Sequence, residues 1–369
     1  MSKRLAVFLP SLAGGGAERV TLNFARAASL RELRVDLVLS TMTGPYLSDV
    51  PDTINLVDLG ASRVLTSLPA LRQYLRRARP DAMVTAITHA NLAAIWARTL
   101  SGVSTRVIVS EHDTLSVFLR ETKTWRGQIS PRLIRRFYPH ADGIIAVSSG
   151  VADDLAAVTG LPRTSIDVVY NPVITPEVVS AARAEPDHPW LEPGQPPVVM
   201  GIGRLTQKKD FVTLLEAFAA VRRSTPARLM ILGEGPERAN LEAVVAAAGL
   251  EDDVALPGFV DNPYAYLSRA SLFVLSSLWE GLPTVLIEAL YCGTPVVSTD
   301  CPSGPDEILR GGRYGKLVAV GDVPALAEAI SAGLAGDISP PPPESWHAYK
   351  LDVATDRYLE LAFGGGSGP

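Results

Sequence analysis

Residues 272–299 read LFVLSSLWEGLPTVLIEALYCGTPVVST. Leu272 to Leu275 is a short apolar run, the pattern of a parallel strand buried on both faces. Ser276 to Pro283 is a polar loop containing glycine and proline. Thr284 to Tyr291 carries helix formers with apolar residues at helical spacing, and Gly293 is placed to end that helix. Pro295 to Ser298 starts the next strand. Two carboxylates bracket the unit. Glu280 lies on the loop at the strand's carboxyl end, where open parallel sheets take their ligands, and Glu288 lies about one turn inside the helix. A ligand across the helix N-terminus could meet both.

The same alternation extends upstream. Val198 to Gly201 reads as a strand running into Gly203-Arg204-Leu205-Thr206-Gln207-Lys208-Lys209-Asp210, followed by a helix over Phe211 to Arg223. Arg228 to Leu232 is a strand ending in Gly233-Glu234-Gly235-Pro236, and a helix covers Glu237 to Ala248. Val254 to Leu256 leads into Pro257-Gly258-Phe259-Val260. Each strand ends in a glycine-bearing loop, as in a nucleotide-binding doubly wound domain. Arg204 and Lys209 place a forked donor and a point charge on one loop, a pairing complementary to a diphosphate.

The N-terminal half repeats the plan. Leu5 to Leu9 is a first strand, broken by Pro10, which argues against a signal peptide despite the basic start. Gly14-Gly15-Gly16-Ala17-Glu18-Arg19 then opens a helix. Glycines there let a ligand approach the backbone, and the helix start offers free N–H groups to a phosphate. No Lys-Ser/Thr follows, so this is no Walker A loop, and Arg19 takes the place of the third glycine of a dinucleotide fingerprint. Strands are expected at Val35–Leu39, Ala82–Ile87, Val107–Val109 and Ala141–Val147, and an Arg-rich helix over 67–78. His112 falls just beyond the strand ending at Ser110-Glu111. The domain limits drawn from these patterns are 1–176, a proline-rich linker over 177–197, and 198–343. A terminal helix over 344–363, with Trp346, Tyr349, Val353 and Tyr358 as buried positions, is expected to rejoin the first domain, and 364–369 is expected to be a disordered tail.

Composition narrows the function classes. The chain has 369 residues, 47% hydrophobic and 20% charged, which suits a globular protein of two or three domains. No apolar run reaches a membrane span. Two cysteines, Cys292 and Cys301, make neither a disulfide framework nor a zinc site, and point to a reducing cytosol. Residues 1–183 hold 21 Lys and Arg against 15 Asp and Glu, whereas the remainder hold 13 against 24. The basic half suggests an anionic partner, either a phosphorylated acceptor or a lipid surface, and no nucleic acid is expected. Residues 118–138 mix aromatic and aliphatic side chains with six Arg and Lys, among them Arg132, Arg135 and Arg136. That mixture fits either contact with anionic headgroups or a buried helix pair with a solvated basic face.

The Glu-x7-Glu pattern in EGLPTVLIEALYCGTPVV and the GGAER loop resemble retaining glycosyltransferases of family 4, as do GRLTQKKDF, GEGP and PGFV in order along the chain. The resemblance implies an α/β protein of GT-B architecture, two Rossmann-like doubly wound domains facing across a cleft. It implies that Arg204 and Lys209, with the N–H groups of Gly15 and Gly16, grip the donor diphosphate, and that Lys209 rather than Lys208 is the motif lysine. By the same resemblance Glu280 and His112 contact the transferred sugar, Glu288 holds the ribose, and Gly233, Gly235, Phe259, Val260, Gly281, Leu282, Pro283 and Thr284 line the nucleotide. The implied reaction is retaining transfer, without a metal or other cofactor, from a nucleotide-sugar to a saccharide acceptor in surface-glycan synthesis. UDP-hexose or UDP-N-acetylhexosamine is the expected donor, and polyprenyl-diphosphate-linked saccharides are among the acceptors implied. The setting would be the cytoplasm or the inner membrane face. A nucleotide-sugar epimerase of the same fold, a pyridoxal-phosphate-dependent glycan phosphorylase and a non-catalytic nucleotide-binding subunit are the other readings.

Overall fold

The computed structural model describes residues 2–121 and 125–364, with side chains at all of these except 121 and 125–129. Two compact units result: Met1–Val173 with Tyr349–Pro369, and Ile174–Ala348.

In the first unit the strands are β1 (Lys3–Leu9), β2 (Leu33–Leu39), β3 (Ile54–Asp58), β4 (Ala82–Ala86), β5 (Arg106–Glu111), β6 (Gly143–Ala146) and β7 (Asp167–Val168). They pair in parallel in the order β3-β2-β1-β4-β5-β6-β7. The helices between them are α1 (Gly16–Ser29), α2 (Leu68–Ala78), α3 (Thr88–Ser101), α4 (Leu115–Glu121), α5 (Trp125–Phe137) and α6 (Ser149–Thr159). Helices cover both faces of a parallel sheet, so its strands are apolar along their length, and Leu5 to Leu9 is fully buried. Strand order reverses between β1 and β4. The loops at their carboxyl ends therefore diverge and leave room for a ligand.

A buried carboxylate sits inside this sheet on β2. Asp36 of β2 is 2% exposed. It accepts from Arg4 Nε (2.8 Å), Asn55 Nδ2 (2.9 Å) and the Tyr74 hydroxyl. A buried carboxylate is tolerated only when its oxygens are occupied in this way.

The second unit begins with a short helix, α7 (Pro176–Ala181), capped by Thr175, in the stretch expected to be linker. Its sheet consists of β8 (Val198–Ile202), β9 (Arg228–Leu232), β10 (Val254–Gly258), β11 (Leu272–Leu275), β12 (Val296–Thr299) and β13 (Lys316–Val318), in the order β10-β9-β8-β11-β12-β13. All pairs are parallel. The helices are α8 (Phe211–Arg222), α9 (Arg238–Ala248), α10 (Pro263–Leu267), α11 (Thr284–Tyr291), α12 (Pro305–Leu309) and α13 (Val323–Ala335). Leu214, Phe218, Leu229, Ile231, Leu272, Val274 and Ile330 share one core. The reversal here falls between β8 and β11, so the loops 203–210 and 276–283 open at this unit's switch point.

The terminal helix is shorter than its sequence suggests. Pro343–Ser345 and His347–Tyr349 are 3-10 turns, Lys350 is extended, and α14 runs from Leu351 to Phe363. Trp346 is half-buried against Tyr291 of the second unit, at a 5.1 Å ring separation, whereas Tyr349 pairs with Tyr170 of the first at 4.9 Å. With its two rings tied to different units, this segment cannot wind as one helix with α14. Val353, expected to be buried, is 36% exposed, because the inward face of α14 is carried by Ala354, Tyr358 and Ala362. Tyr358 stacks on Phe24 at 5.0 Å. Arg106 donates to the carbonyls of Ala362 (3.1 Å) and Leu361 (3.3 Å), a cation on unpaired C-terminal carbonyls. Gly364 caps α14, and the rest of the expected tail lies outside the described residues.

Asp36→Ala is expected to lower the stability of the first unit by about 3 kcal/mol, since it strands Arg4 and the Tyr74 hydroxyl. Urea unfolding of the variant against wild type measures this.

Candidate active site

In the second unit the carboxyl-end loops are stitched to one another. Gly203 N donates to Leu232 O (3.0 Å), Leu205 N to Glu234 O (2.9 Å), Glu237 N to Leu205 O (3.0 Å) and Gly233 N to Gly258 O (2.8 Å). This explains the glycines of GEGP. A Cβ on Gly233 would lie 2.0 Å from Gly203 O, and one on Gly235 would lie 2.2 Å from Leu205 O. Two backbones run too close there for any side chain. Phe259, just beyond β10, is 78% exposed, and Val260 beside it is half-buried.

The loop after β11, polar in composition, is buried over most of its length. Ser276, Ser277, Glu280 and Leu282 are at most 7% exposed, and Gly281 and Pro283 are buried with them. Two neighbouring loops enclose them. Leu278 N donates to Lys208 O (2.9 Å), the Ser276 hydroxyl donates to Lys209 O (2.7 Å), and Glu280 N donates to Pro302 O (3.2 Å). Glu280 is thus a buried carboxylate with its two oxygens divided. Oε1 takes Lys209 Nζ (2.6 Å) and the Ser277 hydroxyl (2.7 Å), while Oε2 faces Lys208 Nζ (3.1 Å). Burial is the largest single influence on its ionisation and opposes it. Lys209 and Lys208, with the hydrogen bonds from Lys209 and Ser277, outweigh burial and hold the carboxyl at about 2.

The motif register singles out Lys209, yet Lys208 reaches the same carboxylate. The two are adjacent on one 3-10 turn, Gln207–Lys209, and their long side chains converge on one carboxylate 71 and 72 residues away. Nothing local in the sequence marks that convergence. Arg204, on the same loop, is exposed and makes no ion pair with the described residues. Thr284 opens α11, and Glu288 is its fifth residue, half-buried. Cys292 ends α11 and Cys301 follows β12. Both are free thiols that burial pushes up to about 12.

In the first unit Gly15 and Gly16 are exposed at the start of the 14-residue α1, which has no side-chain cap. His112 follows β5. Its Nε2 lies 3.1 Å from the Ser110 hydroxyl, which lies 3.4 Å from the hydroxyl of Tyr358 on α14. Its Nδ1 is enclosed and has no hydrogen-bond partner among the described residues. Burial lowers the imidazole to about 4, so it is neutral at pH 7. A cavity of about 10 Å³, on the scale of a single water, adjoins His112, Ser110 and Tyr358.

Glu111 points to the other face of β5 and is buried. It accepts from Thr88 Oγ1 (2.9 Å), Asn91 Nδ2 (3.1 Å) and the Tyr138 hydroxyl. Burial raises its pKa against the pull of these three bonds. The four residues tie β5, α3 and the chain after α5 together behind His112. In the chain itself the one hint of this is a carboxylate beside the histidine.

Of the 118–138 segment, residues 122–124 lie outside the described residues. Ile134 and Tyr138 are buried, while Phe118, Arg132, Arg135 and Arg136 are exposed. Among the described residues no helix is long and apolar enough to cross a membrane, and no cluster of three or more His, Cys, Asp or Glu could hold a metal ion.

Two parallel-sheet α/β domains, each with its loops gathered at a switch point, are the fold of the GT-B glycosyltransferases. Sequence comparison makes the assignment more specific. Residues 14–176 match the model of Glycosyltransferase Family 4, and residues 196–335 match that of Glycosyl transferases group 1. The chain is 29% identical, over 91% of each protein, to the N-acetylgalactosamine-N,N'-diacetylbacillosaminyl-diphospho-undecaprenol 4-alpha-N-acetylgalactosaminyltransferase of Campylobacter jejuni. It is 33% identical to the lipopolysaccharide core biosynthesis glycosyltransferase LpsE of Rhizobium meliloti, over 61% of this chain and 65% of that protein. The solved structure of HepE from Anabaena in complex with UDP shares the fold, with a TM-score of 0.74 and 19% identity, over 97% of this chain and 98% of that one. The chain is a glycosyltransferase with both domains of the GT-B fold.

Glu280 links stability to pH in a defined direction. Its folded pKa of about 2 lies below the roughly 4.3 of an unfolded glutamate. Its stabilisation is therefore complete above that value and fades as pH falls toward 2. Wild type is expected to exceed Glu280→Gln by on the order of 2–3 kcal/mol at pH 7, with the gap narrowing through pH 4 to 3. Denaturant unfolding of both proteins across that range reads the gap directly.

Proposed function

We propose that this glycosyltransferase moves a hexosyl group, or an N-acetylhexosaminyl group, from a UDP-sugar to a lipid-linked saccharide with retention of configuration and without a metal. Transfer to a saccharide in glycan synthesis fits the relatives, whose names place them in lipopolysaccharide core and diphospho-undecaprenol-linked saccharide synthesis. UDP is favoured by the HepE complex. The observation that carries the reading is Glu280, buried and ionised on the loop after β11, with Lys209 against it and Arg204 exposed on the same switch-point loop as Lys209.

The chemistry follows from charge. As the glycosidic bond lengthens, negative charge grows on the β-phosphate of the leaving nucleoside diphosphate. Fixed cations aimed at that charge lower the barrier. Arg204 would supply a forked pair of hydrogen bonds and Lys209 a point charge, supported by the N–H groups of Gly15 and Gly16. An ionised carboxylate only accepts hydrogen bonds, so Glu280 would orient the hydroxyls of the transferred sugar. Neutral His112 would add a further hydrogen bond to that sugar, and Glu288 would bind the ribose. Gly233, Gly235, Phe259, Val260 and the turn from Gly281 to Thr284 would shape the nucleotide pocket. Retention would follow from same-face attack, with the departing phosphate taking the acceptor's proton. Exposed Arg132, Arg135 and Arg136 would hold the enzyme at an anionic membrane surface on the cytoplasmic side, near a polyprenyl-diphosphate acceptor.

Thermal unfolding with UDP, GDP and ADP, each with and without EDTA, tests the donor assignment. A UDP-selective rise that survives EDTA is expected, and a response to none of the three would remove it. In a transfer assay Arg204→Ala and Lys209→Ala are each expected to lower kcat by roughly 10²-fold. Near-normal turnover in both would remove their roles.

A further inference from the structure

We infer that Lys208 is a positioning residue that keeps Glu280 fixed and available to the sugar when Lys209 engages the donor diphosphate. The inference deepens the proposed function and rests on its donor chemistry. It starts from the division of one carboxylate between two lysines, Lys209 on Oε1 at 2.6 Å and Lys208 on Oε2 at 3.1 Å. A buried carboxylate needs a cation beside it to stay ionised. Lys209 has two claims on its charge, because Glu280 holds it now and a diphosphate would draw it. If Lys209 were the sole cation, donor binding would strip Glu280 of its partner at the moment its acceptor oxygens were required.

The backbone around both lysines favours an exchange confined to side-chain ends. Lys208 O and Lys209 O each accept a bond from the loop after β11, from Leu278 N (2.9 Å) and the Ser276 hydroxyl (2.7 Å). The turn is therefore pinned, and an exchange of partners by Lys209 needs only its side chain to move. Ser277 stays on Oε1 whichever way Lys209 points. Lys208 and Ser277 together then hold one oxygen each. Glu280 keeps its orientation and its charge while Lys209 is occupied elsewhere.

Lys208→Met retains the stem and removes the charge, and Lys208→Arg restores a cation. The first measurement needs no nucleotide. In protein carrying ¹³C-labelled glutamate, the Glu280 carboxyl is expected to titrate at higher pH in Lys208→Met than in wild type, and to return toward wild type in Lys208→Arg. An unchanged midpoint in Lys208→Met overturns the inference. The second uses calorimetry with UDP, UDP-glucose and UDP-N-acetylglucosamine, alongside turnover. Lys208→Met is expected to bind UDP within about 2-fold of wild type, yet to lose roughly 10-fold in kcat and in affinity for the UDP-sugar that wild type turns over, the scale of one charged hydrogen bond. In the Glu280→Gln background the same substitution is expected to add nothing further. Equal weakening of UDP and UDP-sugar would make Lys208 a phosphate ligand and overturn the positioning role. Wild type that binds none of the three nucleotides would instead sink the donor assignment, and the carboxyl titration would still decide the role of Lys208.

Discussion

The second unit depends on keeping an ionised carboxylate out of water. Glu280 is 5% exposed, and burial alone would protonate it. It stays charged because a turn belonging to another strand brings two ammonium groups against it. That requires β8 and β11 to be neighbours although β9 and β10 lie between them in the chain, which the order β10-β9-β8-β11 provides. It also requires both loops to hold their shape. The bonds from Gly203, Leu205, Gly233 and Glu237 fix the first loop, and Thr299 Oγ1 donating to Ser277 O at 2.6 Å fixes the second. Sheet order, loop stitching and the ion pair thus form one dependent set.

The first unit solves a similar problem without charge. His112 is neutral and is held by hydroxyls, Ser110 beside it and Tyr358 behind that. The strand end is braced from the opposite face by Glu111, whose oxygens are occupied by Thr88, Asn91 and Tyr138. A neutral imidazole offers one donor and one acceptor, so the hydroxyl that touches one nitrogen governs what the other can offer. Tyr358 comes from a helix more than two hundred residues away in sequence, and its hydroxyl bears on the histidine through Ser110.

Much of this was legible in the chain. Parallel strands buried on both faces leave unbroken apolar runs, and Leu5–Leu9, Arg228–Leu232 and Leu272–Leu275 emerge where those runs lie. Glycines after strands marked the loops, and the positions of Glu280, Lys209 and His112 at strand ends followed from the same pattern. What composition hid was depth. Ser276 to Pro283 is polar in composition, yet all but Leu278 and Trp279 are buried, because the polar atoms find partners on loops that only the folded sheet brings near. Lys208 was hidden for the same reason, since its partner is fixed by topology and not by spacing. Helix periodicity placed Tyr358 correctly but put Val353 on the wrong side. The run from 344 to 350 reads as helix by its periodicity, whereas it forms two 3-10 turns, with Trp346 against Tyr291 and Tyr349 against Tyr170.

The terminal helix also sets an order of events during synthesis. Leu351–Phe363 belongs to the unit built by the first 173 residues, where Tyr358 and Ala362 join the core of β1, β4 and α1. A ribosome releases those first residues long before it makes the helix that completes them. The second unit, contiguous from 174 to 348, can close while the chain is still growing. The first must wait with the groove for α14 open, its apolar floor at Phe24 exposed to solvent or to a chaperone. A chain cut just before Leu351 would therefore damage the amino-terminal domain and spare the one beside the cut.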